Sequence, residues 1–420
     1  MEAAVTQLHP TTGLDVARVQ ADFPILQRKV HDTRLVYLDS ASSSQKPAAV
    51  IDAMSRYYES SHANIHRGTY ELAEEATALY EGARARLARF VGASAAAQIV
   101  FTKNVTEALN LVAYAWGRAN LHAGDVVVLS ELEHHANIVP WLMLKEERGI
   151  ELRYLRLAED FTLDLTGLDA MVDGAKLVSV SAMSNVLGTI VPVREIGEAA
   201  HAAGALFMVD AAQRVPHLAT DVVEIGCDFL GLTGHKMLGP TGIGALWARE
   251  ELLESMPAFL GGGEMIRDVR LDGWLPNEVP WKFEAGTMPI AEAVGLGVAI
   301  EYLEALGMTA VREHEVALTR YAIDRLRERH GDGITIYGPD DMAVRGGVIS
   351  FSYKGIHPHD LSQVLDQRGV CIRAGHHCAK PLMRCLGVSA TARASLYVYN
   401  DESDVDALVD ALSTADDLFL

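Results

Sequence analysis

Cysteine is scarce: the 420-residue chain holds four, Cys227, Cys371, Cys378 and Cys385. So few thiols in so long a chain make no disulfide framework, and an apolar core must carry the fold instead. Long apolar runs are missing as well. None approaches the roughly eighteen residues that a membrane-spanning helix needs. Positive charge is also in deficit, with 36 Lys and Arg against 56 Asp and Glu and a net charge of -20. That balance argues against nucleic acid or an anionic membrane as the main partner, since both would repel the chain. Met1-Glu2-Ala3-Ala4-Val5 lacks the basic start and apolar stretch of a secretory signal. The expectation is a soluble cytoplasmic protein with reduced thiols. There is no internal repeat and no low-complexity tract.

What is present is ordinary globular material, 49% hydrophobic and 22% charged, enough for two or three domains. Residues 1–30 read as an arm with a short helix near 14–20, closed off by Pro24. Residues 31–305 read as a large domain and 306–420 as a smaller one. In the first, 35–39 is a short strand, and Ser44-Gln45-Lys46-Pro47 opens a helix that runs to Tyr58. A helix over 71–90 places Leu72, Ala76, Leu79, Ala83 and Leu87 on one side.

Continuous apolar runs then recur at 98–102, 125–130, 151–157, 176–182, 205–210, 228–232 and 242–248. Helical patterns lie between several of them, among them 106–118 and 194–203. Strands apolar throughout imply burial on both faces, and helical crossovers imply a mostly parallel seven-stranded α/β sheet. Residues 264–284 read as a long loop with two tryptophans, followed by helices at 291–306 and 311–330. The smaller domain alternates strands at 348–353, 370–374 and 394–399 with helices at 358–368 and 401–412, the last capped by Asn400.

Open parallel sheets bind ligands at the carboxyl ends of their strands, and the chemistry-bearing residues gather at those junctions. Thr233-Gly234-His235-Lys236 follows the strand at 228–232. The plain reading of Lys236 is a solvated turn lysine; the functional one is an imine-forming lysine that holds an aldehyde cofactor, pyridoxal phosphate. Asp210 ends another strand, where a carboxylate either caps a turn or keeps a pyridine nitrogen protonated. Gln213 follows three residues later, within reach of a ring hydroxyl. Lys103-Asn104-Val105-Thr106 opens a helix, as an ordinary cap or as a phosphate cradle. In Glu133-His134-His135-Ala136-Asn137 a neutral imidazole suits stacking on an aromatic ring or shuttling a proton. The bland alternative is a surface histidine pair.

In the smaller domain, Cys378 sits just after a strand, beside His376, His377 and Arg373, a setting that favours thiolate. Cys227 and Cys371, within or beside apolar runs, read as buried filler. A metal site drawn from Cys371, His376, His377, Cys378 and Cys385 matches no C-x₂-C spacing. Arg393 is a strand-end arginine suited to forking a carboxylate, or to a plain ion pair.

Four strings together resemble the pyridoxal-phosphate-dependent cysteine desulfurases of the class V aminotransferase superfamily. They are Glu133 through Trp141, Ser184-Asn185-Val186-Leu187-Gly188, Gly234-His235-Lys236 with Gly239-Pro240-Thr241-Gly242, and Arg373-Ala374-Gly375-His376-His377-Cys378. The similarity is greatest to the group II, SufS-like branch that includes selenocysteine lyases, and runs from about residue 21 to the end.

The resemblance implies fold type I of the pyridoxal-phosphate transferases. It implies Lys236 as Schiff-base lysine, Asp210 at the pyridinium nitrogen, Gln213 at the ring oxygen and His134 stacked on the ring. Thr106, Thr233 and His235 would hold the phosphate, completed by Thr287 of a second subunit in a homodimer. Asn185 and Arg393 would grip the substrate carboxylate, with Arg373, His66 and Arg67 lining the pocket. Cys378 would take sulfur from L-cysteine, or selenium from L-selenocysteine, and pass it to a SufE- or SufU-type acceptor for iron–sulfur assembly. Val105 stands where relatives often have a second threonine, and Met288 precedes Pro289 where a threonine is common. Another class V activity, kynureninase-like or aminotransferase, needs no thiol. A non-enzymatic iron–sulfur scaffold needs no cofactor.

Overall fold

The computed structural model describes residues 13–419. All seven expected strands of the large sheet form. Across the sheet they run Ile99–Thr102, Gly244–Ala248, Phe229–Thr233, Leu206–Asp210, Ala175–Ser181, Val126–Ser130 and Glu151–Leu155. Six point the same way, and Gly244–Ala248 alone runs antiparallel to both neighbours. Five of the six parallel strands and Gly244–Ala248 are buried along all or nearly all of their length, which is why they read as continuous apolar runs. Glu151–Leu155, at one edge, departs from that pattern, with only Leu155 buried, whereas the other edge strand, Ile99–Thr102, is covered throughout.

Register sets the site. Gly244 lies opposite both Thr102 and Thr233, and Ser181 lies opposite Asp210, so these strand ends share one rim of the sheet. Gly244 is required there: a Cβ on it would meet the Leu232 carbonyl at 2.6 Å and the Asn104 Cα at 2.7 Å. The turn that opens the next helix therefore rests on bare backbone.

The C-terminal sheet is antiparallel, in the order Ile334–Tyr337, Val348–Tyr353, Thr391–Ser395 and Arg373–Gly375. Ile334–Tyr337 was not expected from the sequence. The expected strand over 370–374 divides in two. Val370–Cys371 pairs in parallel with Val36–Tyr37, while Arg373–Gly375 joins the C-terminal sheet. The chain thus crosses from one sheet to another just before the cysteine loop.

Other expectations shift. The helix Glu71–Phe90 forms over the expected span, but Leu72 and Leu79 are exposed, and Ala73, Ala76, Tyr80, Ala83, Arg84 and Leu87 face inward. Residues 264–284 are not all loop, since Ile266–Arg270 and Gly273–Pro276 make a hairpin. The last helix, Glu402–Phe419, is capped by Asp401, whose carboxylate accepts from the Asp404 N–H at 3.1 Å. Asn400 instead accepts from Tyr397 N–H and donates to Asp404 and to the Tyr37 carbonyl. Within the proposed arm, Val16–Ala21 is helical and Pro24 begins a short 3₁₀ turn; residues 1–12 lie outside the described ones.

Candidate active site

Lys236 ends a 3₁₀ turn, Gly234–Lys236, that leaves the Phe229–Thr233 strand. The peptide before it is held unusually firmly. The His235 carbonyl accepts from Ser44 N–H at 3.0 Å, Ser43 Oγ at 3.1 Å, Ser44 Oγ at 3.2 Å and Lys46 Nζ at 2.9 Å. The Lys236 amine itself donates no hydrogen bond among the described residues. Burial lowers its pKa to about 8, opposed by Asp210 and reinforced by Arg393 and Arg373. About a tenth of the amine is therefore uncharged at pH 7, far more than for an ordinary lysine.

Asp210 terminates the Leu206–Asp210 strand and is buried, with one hydrogen bond, from the Ala212 N–H at 3.0 Å. Burial raises its pKa. Gln213 donates Nε2 to the Ala41 carbonyl at 2.8 Å and leaves Oε1 without a partner; the Thr233 hydroxyl is likewise buried and unpartnered. His134 accepts the Ala136 N–H on Nδ1 at 3.0 Å, so its neutral ring carries the proton on Nε2. Burial and the positive charges of Lys236, Arg373 and Arg393 drive its pKa to about 3. His235 falls to about 4 for similar reasons.

Beneath His134 lies a buried network that the sequence reading missed. Glu133 accepts from Ser130 Oγ, Ser181 N–H, Ser181 Oγ and Asn137 Nδ2, and Asn137 accepts from Ser179 Oγ and Trp141 Nε1. It nails the loop after Val126–Ser130 to the neighbouring strand Ala175–Ser181.

The cysteine arrives from the other sheet. Two successive residues, His377 and Cys378, adopt left-handed backbone, at φ 51° and 56°. That conformation is costly for non-glycine residues and is stabilised here by contacts on either side. His135 N–H donates to the Cys378 carbonyl at 2.8 Å, Lys380 N–H donates to His135 Nε2 at 3.0 Å, and Asn185 Nδ2 donates to the His377 carbonyl at 2.8 Å. Arg373 lies with Nη2 3.7 Å from Cys378 Sγ. Arg393, wholly buried, donates to the Asn185 carbonyl, to Asp39 Oδ1 at 2.9 Å and to Ser42 Oγ at 2.8 Å. Asp39, Ser42, Lys46 and Glu133 had not been singled out, although Asp39 ends an apolar run just as Asp210 does.

The structure thus gathers Lys236, Asp210, His134, Arg373, Arg393, Asn185 and Cys378, whose charges and hydrogen bonds act on one another. Four other expected residues have these surroundings in the single chain. Thr106, at the start of the Val105–Leu111 helix, and Thr287 are exposed. His66 pairs with Glu81 at 2.8 Å and Arg67 with Glu264 at 3.4 Å. Of the other thiols, Cys227 is buried in the core, where its thiol is pushed well up, Cys371 is half-buried and Cys385 is exposed. Among the described residues no group of three or more His, Cys, Asp or Glu could hold a metal ion.

Comparison with known proteins gives the family. Residues 36–408 match the family model described as aminotransferase class-V. The chain belongs to that family. A protein of Streptomyces coelicolor named probable cysteine desulfurase is 49% identical over 412 residues, covering 97% of this chain and 98% of its own. The apo structure of a cysteine desulfurase from Thermococcus onnurineus superposes with a TM-score of 0.92 at 38% identity, over 97% of this chain and 99% of that one. An Escherichia coli cysteine desulfurase, solved in an S-sulfonic acid form, gives 0.89 at 38% identity over the same shares. As a member of the class V family, the chain has the architecture the sequence implied, a mostly parallel seven-stranded sheet with a second, smaller sheet.

Proposed function

We propose that this class V family member is a pyridoxal-phosphate-dependent cysteine desulfurase, converting L-cysteine to L-alanine and retaining the sulfur as a persulfide on Cys378. One observation carries the reading: a partly buried lysine from the large sheet and a cysteine from the C-terminal sheet act on each other's charge, with two arginines facing both. Curated relatives covering nearly the whole chain bear that name.

The residues suit the cofactor. The site leaves open an amine at Lys236, a carboxylate with a single donor at Asp210, and buried oxygens at Gln213 and Thr233. Those are groups suited to an aldehyde, a ring nitrogen, a ring hydroxyl and a phosphate. When bound, pyridoxal phosphate supplies an electron sink for negative charge at the substrate α-carbon. Asp210 would hold the proton on the ring nitrogen. Lys236, with its lowered pKa, would take the α-proton near neutral pH. His134, uncharged, would lie against the ring and hold a proton on Nε2. Arg393 and Asn185 would seat the substrate carboxylate.

Cys378 Sγ, as thiolate beside Arg373, would attack the substrate sulfur. The new S–S bond forms as the substrate C–S bond breaks, the electron pair passing to carbon, which is protonated to give alanine. The enzyme keeps both sulfurs. The finer points, that Thr106, His235 and a partner subunit's phosphate-facing threonine complete the phosphate site, that His66 and Arg67 line the pocket, and that the protein is a homodimer, rest on the family resemblance. So do passage of sulfur to a SufE- or SufU-type acceptor and use of selenocysteine.

Lys236→Ala is expected to abolish the visible absorbance of the lysine-bound cofactor. Cys378→Ala is expected to keep that absorbance but stop alanine formation from cysteine. Undiminished turnover in the second variant would favour a thiol-independent class V reaction, and a colourless wild-type protein that cannot be reconstituted would favour the scaffold.

A further inference from the structure

Arg373 and Arg393 are direct cross-strand neighbours in the C-terminal sheet. Like charges in that position destabilise a sheet unless something holds them. What holds them is one hydroxyl. Ser42 Oγ accepts from Arg373 Nη1 at 2.9 Å and from Arg393 Nη2 at 2.8 Å, and donates to Asp39 Oδ1 at 2.7 Å. Both lone pairs and the single proton are used. The two guanidiniums differ in what else they touch. Arg393 donates to the Asn185 carbonyl and Asp39, with Nε buried and unpartnered, while Arg373 reaches Cys378 Sγ. Asp39 is in direct contact with Arg393, and Cys378 Sγ is the group beside Arg373.

Building on the proposed desulfurase reading, we infer that Ser42 is a positioning residue. It fixes the distance between the arginine that seats the carboxylate of a short α-amino acid and the arginine beside the attacking thiol. The hydroxyl acts as a spacer between the two ends of the substrate.

The test uses Ser42→Ala and Ser42→Thr in the holoenzyme. Ser42 is half-buried, and alanine keeps the hydrogen bond from its backbone N–H to the Asp39 carbonyl; melting temperature and cofactor content verify the fold. Loss of a shared charge-assisted bond is expected to raise KM for L-cysteine about tenfold, with kcat within about threefold. Threonine, which keeps the hydroxyl, is expected to restore KM to within about twofold. The second readout is iodoacetamide labelling of Cys378 without substrate, mapped by mass spectrometry. In Ser42→Ala it is expected to slow about threefold as Arg373 loses its hold beside Sγ. An unchanged KM in the alanine variant, a KM defect that threonine does not reverse, or unchanged Cys378 labelling would each overturn the inference. Failure of the underlying reading looks different: Cys378→Ala would still make alanine from cysteine, whatever Ser42 does.

Discussion

Two buried carboxylates end up near the large sheet with opposite surroundings. Glu284 accepts from Arg84 Nη1 at 2.6 Å, Arg84 Nη2 at 2.9 Å, Tyr80 Oη at 2.9 Å and Phe101 N–H at 2.7 Å. Asp210, equally out of water, accepts from one N–H. The first cluster closes on itself and stabilises the joint between the Glu71–Phe90 helix, the first strand of the sheet and the segment leading to Thr287. The second leaves its hydrogen-bonding capacity open. A buried polar group that is fully paired serves the fold, and one that is not serves a ligand.

Substitutions sharpen that contrast. Asp210→Asn is expected to cost the most in function, at least about a hundredfold in turnover of cysteine, because a neutral amide cannot hold a proton on the ring nitrogen. In cofactor-free protein the same change should move stability by less than about 1 kcal/mol, as judged by urea unfolding. Glu284→Ala should do the reverse in that assay, losing about 3 kcal/mol, since it leaves the buried Arg84 guanidinium with only Glu81 and the Ile99 carbonyl as partners. Equal losses from the two changes would erase the distinction.

A smaller effect is expected at Lys236. Its folded-state pKa of about 8 lies below the ordinary lysine value, so between these limits the unfolded chain binds more protons than the folded one. Stability therefore rises with pH through this window as that penalty is relieved. Lys236→Met in cofactor-free protein should melt higher than wild type at pH 7, and the gap should narrow by pH 10. A gap that widens would mean that the amine is not paying for its burial.

Much of this was legible in the sequence, and the failures have physical causes. Strands such as Val126–Ser130 and Leu206–Asp210 announce themselves because both faces are covered, and the Gly-His-Lys turn after Phe229–Thr233 because polar residues at a strand end need a reason. The inward face of Glu71–Phe90 was misjudged because Arg84 is buried by a partner 200 residues away, which no local pattern reveals. The run at 370–374 looked like one strand because an apolar stretch does not say which sheet each half joins. Asp39 and Ser42 escaped notice because their importance lies in contacts with Arg373 and Arg393, some 330–350 residues distant. His66, Arg67, Thr106 and Thr287 took their roles from family resemblance alone, because no local pattern assigns them; in this chain the first two are ion-paired and the last two exposed.

The cysteine loop is tied down by His135 and Asn185 of the large domain, one bond on each of two consecutive carbonyls. A tether that short trades reach for aim. On the proposed desulfurase reading, sulfur on Cys378 stays where these two bonds aim it and is not carried outward on a swinging arm.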